Sequence, residues 1–148
     1  MILLDTNVIS ETFRPLPSPG VVAWLDAHFE NAAVSSITIL ELTIGVQMLP
    51  FGQRRDRLQS AISLSLSRFS SRVLGFDESA ARKAADLLGV AKANGLPLHQ
   101  IPVKLADLQI AGIAAASDCS LATRNVANFR GLGIALIDPW SSAASSRG

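Results

Sequence analysis

Met1-Ile2-Leu3-Leu4-Asp5-Thr6-Asn7-Val8-Ile9-Ser10 is the stretch whose reading decides the fold. Ile2, Leu3 and Leu4 form a short apolar run that reads as a fully buried strand. Asp5-Thr6-Asn7 ends it, and Val8 and Ile9 resume apolar character at helical spacing with Phe13. A carboxylate therefore stands where a buried strand gives way to a helix. In an open α/β sheet that edge is where ligands bind. Asp is also a common helix cap, and this stretch alone leaves both readings open.

Outward from it, buried strands and helices alternate. Pro15, Pro17, Pro19 and Gly20 break the chain, and a helix is expected over Val21–Phe29. A second strand follows at Ala32–Ser36, then an apolar helix over Ile37–Leu49 that Pro50 and Gly52 end. Arg54–Phe69 reads as a helix, Arg72–Phe76 as a third strand, and Asp77 caps a helix that closes near Asn94-Gly95. Leu96–Val103 reads as a loop and Lys104–Ser117 as a helix; Ser120–Thr123 and Ile134–Ile137 complete about five strands. Such alternation predicts an α/β/α sandwich with a central parallel sheet. One domain over 1–140 is expected, followed by a disordered Ser/Ala/Arg/Gly tail at 141–148.

Composition narrows the class. Hydrophobic residues make up 49% and charged residues 17% of 148, on the apolar side for a monomer, so some apolar surface should be covered by a partner or a second copy. No run reaches the roughly 18 apolar residues of a membrane span, no signal peptide is recognisable, and the lone Cys119 excludes a disulfide framework. The cytoplasm is the expected compartment. Net charge is +1, and the cluster Arg54, Arg55, Arg57, Arg68 and Arg72 reads as a solvated helix face rather than a phosphate track.

If all strands run parallel, four polar positions meet at their carboxyl edge. Asp5 ends the first strand, Glu41 lies early in the helix after the second, Asp107 early in the helix before the fourth, and Asn125 just past the fourth. Each has a plain structural role open to it: Thr38-Ile39-Leu40-Glu41 fits a capping box, Asp107 would favour a positive helix end, and Asn125 would end a strand. Yet Glu41 and Asp107 sit in apolar helices, where a carboxylate needs compensation. Converging carboxylates without a basic partner would repel, and a divalent cation removes both difficulties. With all-oxygen ligands, Mg²⁺ or Mn²⁺ is favoured over zinc, which points to metal-assisted phosphodiester hydrolysis. His28 and His99 build no credible triad, and no glycine-rich phosphate loop is present.

These residues resemble PIN-domain ribonucleases, in particular VapC/FitB-type toxins of bacterial toxin–antitoxin pairs. The resemblance runs from about Met1 to Trp140 and rests on Ile2 to Ser10, Ser36 through Glu41 to Gly45, Ala106-Asp107-Leu108-Gln109-Ile110-Ala111, Ala122-Thr123-Arg124-Asn125 and the ending Ile137-Asp138-Pro139-Trp140. It implies a PIN-like fold and a Mg²⁺-dependent endoribonuclease, with Mn²⁺ able to substitute. It further implies a homodimer, a small antitoxin encoded alongside, and operator DNA bound only through that antitoxin. Carried over, Asp5, Glu41 and Asp107 form the metal site, with Asp5 and Asp107 as direct ligands, Asn125 beside them and Thr6, Asn7 and Thr123 in support. Relatives place a fourth acid at the position of Asn125 or three residues on; here both Asn125 and Asn128 are amides. A PIN-like binding or regulatory protein with weakened catalysis is therefore the alternative. An aspartyl phosphotransferase using Asp5 would want an Asp at position 7, where Asn7 stands.

Overall fold

The computed structural model describes residues 1–100 and 104–141. Five strands form one parallel sheet in the order β3-β2-β1-β4-β5, with β1 Ile2–Leu4, β2 Ala32–Ser35, β3 Val73–Leu74, β4 Ser120–Ala122 and β5 Leu136–Ile137. The helices are α1 Thr6–Glu11, α2 Pro19–His28, α3 Ser36–Gln47, α4 Gln53–Ser67, α5 Glu78–Ala93, α6 Leu105–Ala116 and α7 Val126–Phe129.

β1 is apolar at every position, and β2 and β4 are apolar apart from a terminal serine in each, because both sheet faces are covered. Successive residues alternate between the two sides. Leu3, Ala33 and Leu121 pack with α5 and α6, while Ile2, Leu4, Val34 and Ala122 pack with Val8, Trp24, Leu42 and Ile62 from α1 to α4. Chain order departs from β1 in both directions, to β2 and β3 on one side and to β4 and β5 on the other. The switch point therefore lies between β1 and β4, where a crevice opens at the carboxyl ends. Register pairs Leu4 with Ala122, so Asp5 and Thr123 emerge side by side there.

On the first side, Gly112 lets α6 press onto α5. A Cβ on Gly112 would stand 2.5 Å from the Ala80 carbonyl oxygen and 2.8 Å from the Ala84 Cβ.

Several boundaries differ from the sequence reading for local reasons. Pro19 is the first turn of α2, not a breaker before it, because Ser18 caps that helix and proline needs no N–H there. The Thr38…Glu41 capping box does not form: Ser35 is the cap of α3 and accepts from the Thr38 N–H. β3 and β5 are shorter than expected, α7 was not anticipated, and Pro97–His99 in the expected loop is a 3-10 turn anchored by the buried Leu98. Positions 101–103 of that loop, and 142–148 of the tail expected to be disordered from 141, lie outside the described residues, while Ser141 itself is helical. Among the described residues no helix is long and apolar enough to cross a membrane.

Candidate active site

Asp5 is the first residue past β1, and its backbone N–H donates to the Ala122 carbonyl, extending the β1–β4 ladder by one rung. Its extended backbone then turns into α1, which it caps through Oδ1, accepting the Thr6 N–H at 2.8 Å. Oδ2 accepts from the Thr123 hydroxyl at 2.8 Å and from Asn7 Nδ2 at 3.2 Å. The capping role and the site role therefore coexist on two oxygens of one group. Asp5 is 2% exposed, and all these donors are neutral.

Burial of that carboxylate raises its pKa from 3.8 to about 6. The Thr123 and Thr6 hydrogen bonds oppose the rise, and the charges of Asp107 and Glu41 add to it. Asp5 thus feels both other carboxylates expected at this edge.

Glu41 lies in the second turn of α3, half-buried, and its Oε1 accepts from Thr6 Oγ1 at 2.7 Å. With its one proton given to Glu41, Thr6 accepts from the Thr38 hydroxyl at 2.9 Å. Ser35 Oγ donates to Thr38 in turn at 3.4 Å. A file of three hydroxyls from β2, α3 and α1 ends on the Glu41 carboxylate. Ser35 and Thr38 were not anticipated as site residues. Thr38 was nonetheless detectable, as a hydroxyl four residues before Leu42 on the apolar stripe of α3.

Asp107 is the third residue of α6, half-buried, and its pKa is raised by burial against the lowering pull of Lys104 and of the Asn128 amide. Asn128 Nδ2 donates to Asp107 Oδ2 at 3.2 Å. Asn125 is exposed at the N-terminus of α7, and among the described residues its side chain makes no hydrogen bond. Only its backbone N–H reaches the network, donating to Thr123 Oγ1 at 3.0 Å. Of the two amides, Asn128 therefore touches an acid and Asn125 stands at the rim. Asn7 ties the two loops together, because its Oδ1 accepts the Arg124 N–H at 3.3 Å.

Among the described residues, no three side chains from His, Cys, Asp and Glu lie close enough to form a metal-ligand cluster. The set at this edge is all oxygen, anionic and without a bonded cationic partner. Its chemistry suits a hard cation that takes one or two carboxylates and keeps several waters, and Asp5 and Asp107 are carboxylates that could serve as donors.

A family model described as PIN domain matches residues 2–132. The chain is 39% identical over 145 residues to the VapC ribonuclease Y4jK of Sinorhizobium fredii, covering 97% of this chain and 100% of that protein. It is 39% identical over 142 residues to Toxin FitB of Neisseria gonorrhoeae, covering 95% and 99%. The structure of FitAB bound to an IR36 DNA fragment superposes with a TM-score of 0.84 at 39% identity, covering 95% of this chain and 96% of that one. The family expected from the sequence motifs is the one found, and the chain belongs to the PIN-domain family.

Proposed function

We propose that this chain is the endoribonuclease toxin of a toxin–antitoxin pair and cuts RNA phosphodiester bonds with Mg²⁺, or Mn²⁺ in its place. The observation that carries this is Asp5, a buried carboxylate at the sheet's switch point, held by neutral donors beside two further acids. A carboxylate so placed costs stability unless a cation joins it.

Asp5 and Asp107 would hold the cation, and Glu41 would complete the acidic wall. When bound, the cation lowers the pKa of water and stabilises charge on the phosphoryl oxygens. Thr123 and Asn7 hold Asp5 Oδ2 on its aim, and Thr6 fixes Glu41 Oε1. Glu41 Oε2, without a hydrogen bond among the described residues, accepts a proton from the attacking water. The rim amide of Asn125 contacts the RNA phosphate or orients that water.

The names of the relatives support the toxin reading, and the FitAB–DNA structure supports an antitoxin that carries the pair to operator DNA. The chain acts in the cytoplasm as a homodimer. Its apolar stripe Leu40, Ile44 and Met48, spaced by four along α3 and its C-cap and joined by the 90% exposed Phe51, is the dimer face. Leu49 and Leu58, apolar residues of the same region, are half-buried within the protomer.

Asp5→Asn tests the assignment: cleavage of a single-stranded RNA in Mn²⁺ should fall by roughly 10²-fold or more with the fold intact. The Asn128–Asp107 bond, an amide where a fourth acid was expected, favours the second reading, a binding protein with weakened catalysis. That reading holds instead if wild-type protein binds RNA and leaves it whole.

A further inference from the structure

Against the acidic edge lies a cavity of about 280 Å³ between α1, α3 and α4. Thr6 and Glu41 belong to its wall, so it opens from the site itself. The rest of the wall is mainly apolar, with Phe13, Leu49 and Leu58 prominent, and Arg54 at one side. The volume falls just below the ~300–1,000 Å³ range of ligand pockets, the size for one planar heterocycle rather than a larger molecule.

Two residues of this wall have no account within the protomer. Arg54 makes no hydrogen bond or ion pair among the described residues; the same holds for Arg57 of the arginine cluster, but only Arg54 of the two lines the cavity, and other members of the cluster are engaged. Arg55 donates to Gln47 and covers the Phe51 ring, and Arg72 bonds the Phe29 carbonyl. Gly45 is the other. It sits inside α3, where glycine is a standing cost to the helix. Its backbone does not need the left-handed region, and a Cβ there would meet nothing within 4 Å. Gly45 lines the cavity, so any larger side chain at this position would take up its space.

We infer that this cavity is the base-recognition subsite for the unpaired RNA nucleotide next to the scissile phosphate, kept open by Gly45 and read by Arg54. Unpaired bases are recognised by stacking on aromatic and apolar side chains and by hydrogen bonds to their edges. Phe13 and the two leucines supply the apolar wall. Arg54 supplies a fork of donors that matches an acceptor pair, as guanine offers at O6 and N7. A phosphate at Asp5 and Asp107 leaves the adjoining base only the Thr6–Glu41 wall to cross. The inference rests on the RNA-cleaving reading for its substrate.

The test uses wild type, Arg54→Ala and Gly45→Leu on a random pool of single-stranded oligoribonucleotides, reading base frequencies around the cuts. Wild type should favour one base, guanine, at one position beside the cut. Arg54→Ala should weaken that preference by about tenfold, and Gly45→Leu should erase it and slow cleavage by about tenfold or more. Both variants should bind Mn²⁺ as wild type does, and Gly45→Leu should melt no lower. In parallel, methyl resonances of Leu49 and Leu58 are followed in EDTA as a guanosine dinucleotide is added. They should shift in wild type and stay still in Gly45→Leu. Unchanged base frequencies in both variants would overturn the inference, as would pocket methyls that ignore the dinucleotide yet respond to an antitoxin peptide. A wild type that shifts those methyls and never cuts RNA would uphold the subsite and remove the hydrolase reading instead.

Discussion

The Thr123 hydroxyl donates to Asp5 Oδ2 at 2.8 Å, joining residues 118 positions apart in sequence. Both follow the ends of adjacent parallel strands, so the bond exists only once β1 and β4 have paired in register. It favours the ionised form of Asp5 against a burial that disfavours it. Thr123→Val keeps the shape and removes the donor. Mn²⁺ affinity near neutral pH should fall by about tenfold, the worth of a hydrogen bond to a charged group, while Thr123→Ser should keep it. Calorimetric titration checks this, and equal affinities for Val and Ser would show that the hydroxyl does no more than fill space.

The pH dependence follows from the same carboxylate. Its folded pKa of about 6 stands above the ordinary 3.8, so the folded state binds the proton more tightly than the unfolded one. The ionised group then costs the metal-free fold about 3 kcal/mol at about pH 7.5, and stability returns as pH falls through the window between the two values, about 1–2 kcal/mol of it by pH 5. Asp107 is shifted the same way. Glu11 opposes them at the acid end: the Ser18 N–H and Arg14 hold its pKa low, so its contribution is lost as pH drops below the ordinary carboxylate range. The melting temperature without metal should be higher near pH 5 than near pH 7.5. Mn²⁺ should reverse that order, and Asp5→Asn should flatten the profile.

Much of this site was legible because its residues interrupt patterns. Asp5 breaks an apolar run, and Asp107 stands nearly alone in an apolar helix; a buried strand or an apolar face makes such breaks conspicuous. The part that stayed hidden has no pattern to break. Asn128 stands out in the sequence only as an amide where relatives carry an acid, and its bond to Asp107 is not legible there because it lies in a four-residue helix too short to show a period. The run Ser35-Ser36-Ile37-Thr38 offers several caps, and only the packing of β2 selects Ser35 for the cap and leaves Thr38 to bond Thr6. Glu11 passed unnoticed because its value lies in accepting the Ser18 N–H seven residues on, a contact created by the turn through Pro15 and Pro17.

Gly112 is required by packing. Its Cβ would meet backbone, the Ala80 carbonyl oxygen at 2.5 Å, and backbone cannot swing aside as a side chain can. Gly112→Ala should therefore destabilise by about 1–3 kcal/mol despite the better helix former. Gly45→Ala, with open space around it, should stabilise instead. Urea unfolding of the pair separates the two, and a stable Gly112→Ala protein would mean that α5 and α6 are less tightly held than the contact implies.

The dimer proposal fixes which apolar residues should matter. Leu40, Ile44 and Met48 are 55%, 50% and 79% exposed along one stripe. Ile44→Glu with Met48→Glu should leave the fold and Mn²⁺ binding unchanged and give monomers in sedimentation at micromolar concentration. A wild type that sediments as a monomer would assign the stripe to a different partner.

The two amides of the acidic edge can be told apart. Asn128 already donates to Asp107 Oδ2, so Asn128→Asp would replace a favourable contact by a like-charge one. Without metal, Asp107 should then titrate still higher and the protein should lose about 1–3 kcal/mol. A divalent cation meets three carboxylates in place of two, so Mn²⁺ should bind more tightly and recover the loss. Asn125 is exposed and its side chain bonds no acid, so Asn125→Asp should strengthen Mn²⁺ binding through a longer, more screened path and by less. Asn125→Ala should leave Mn²⁺ affinity as it is and slow cleavage, because the proposed role of the rim amide begins only when the RNA phosphate arrives. Calorimetry on the three variants beside a cleavage assay ranks them. If Asn125→Asp gained more Mn²⁺ affinity than Asn128→Asp, the cation would sit nearer the strand end than Asp107 allows, and the ligand pair would have to be redrawn around Asp5 and the α7 cap.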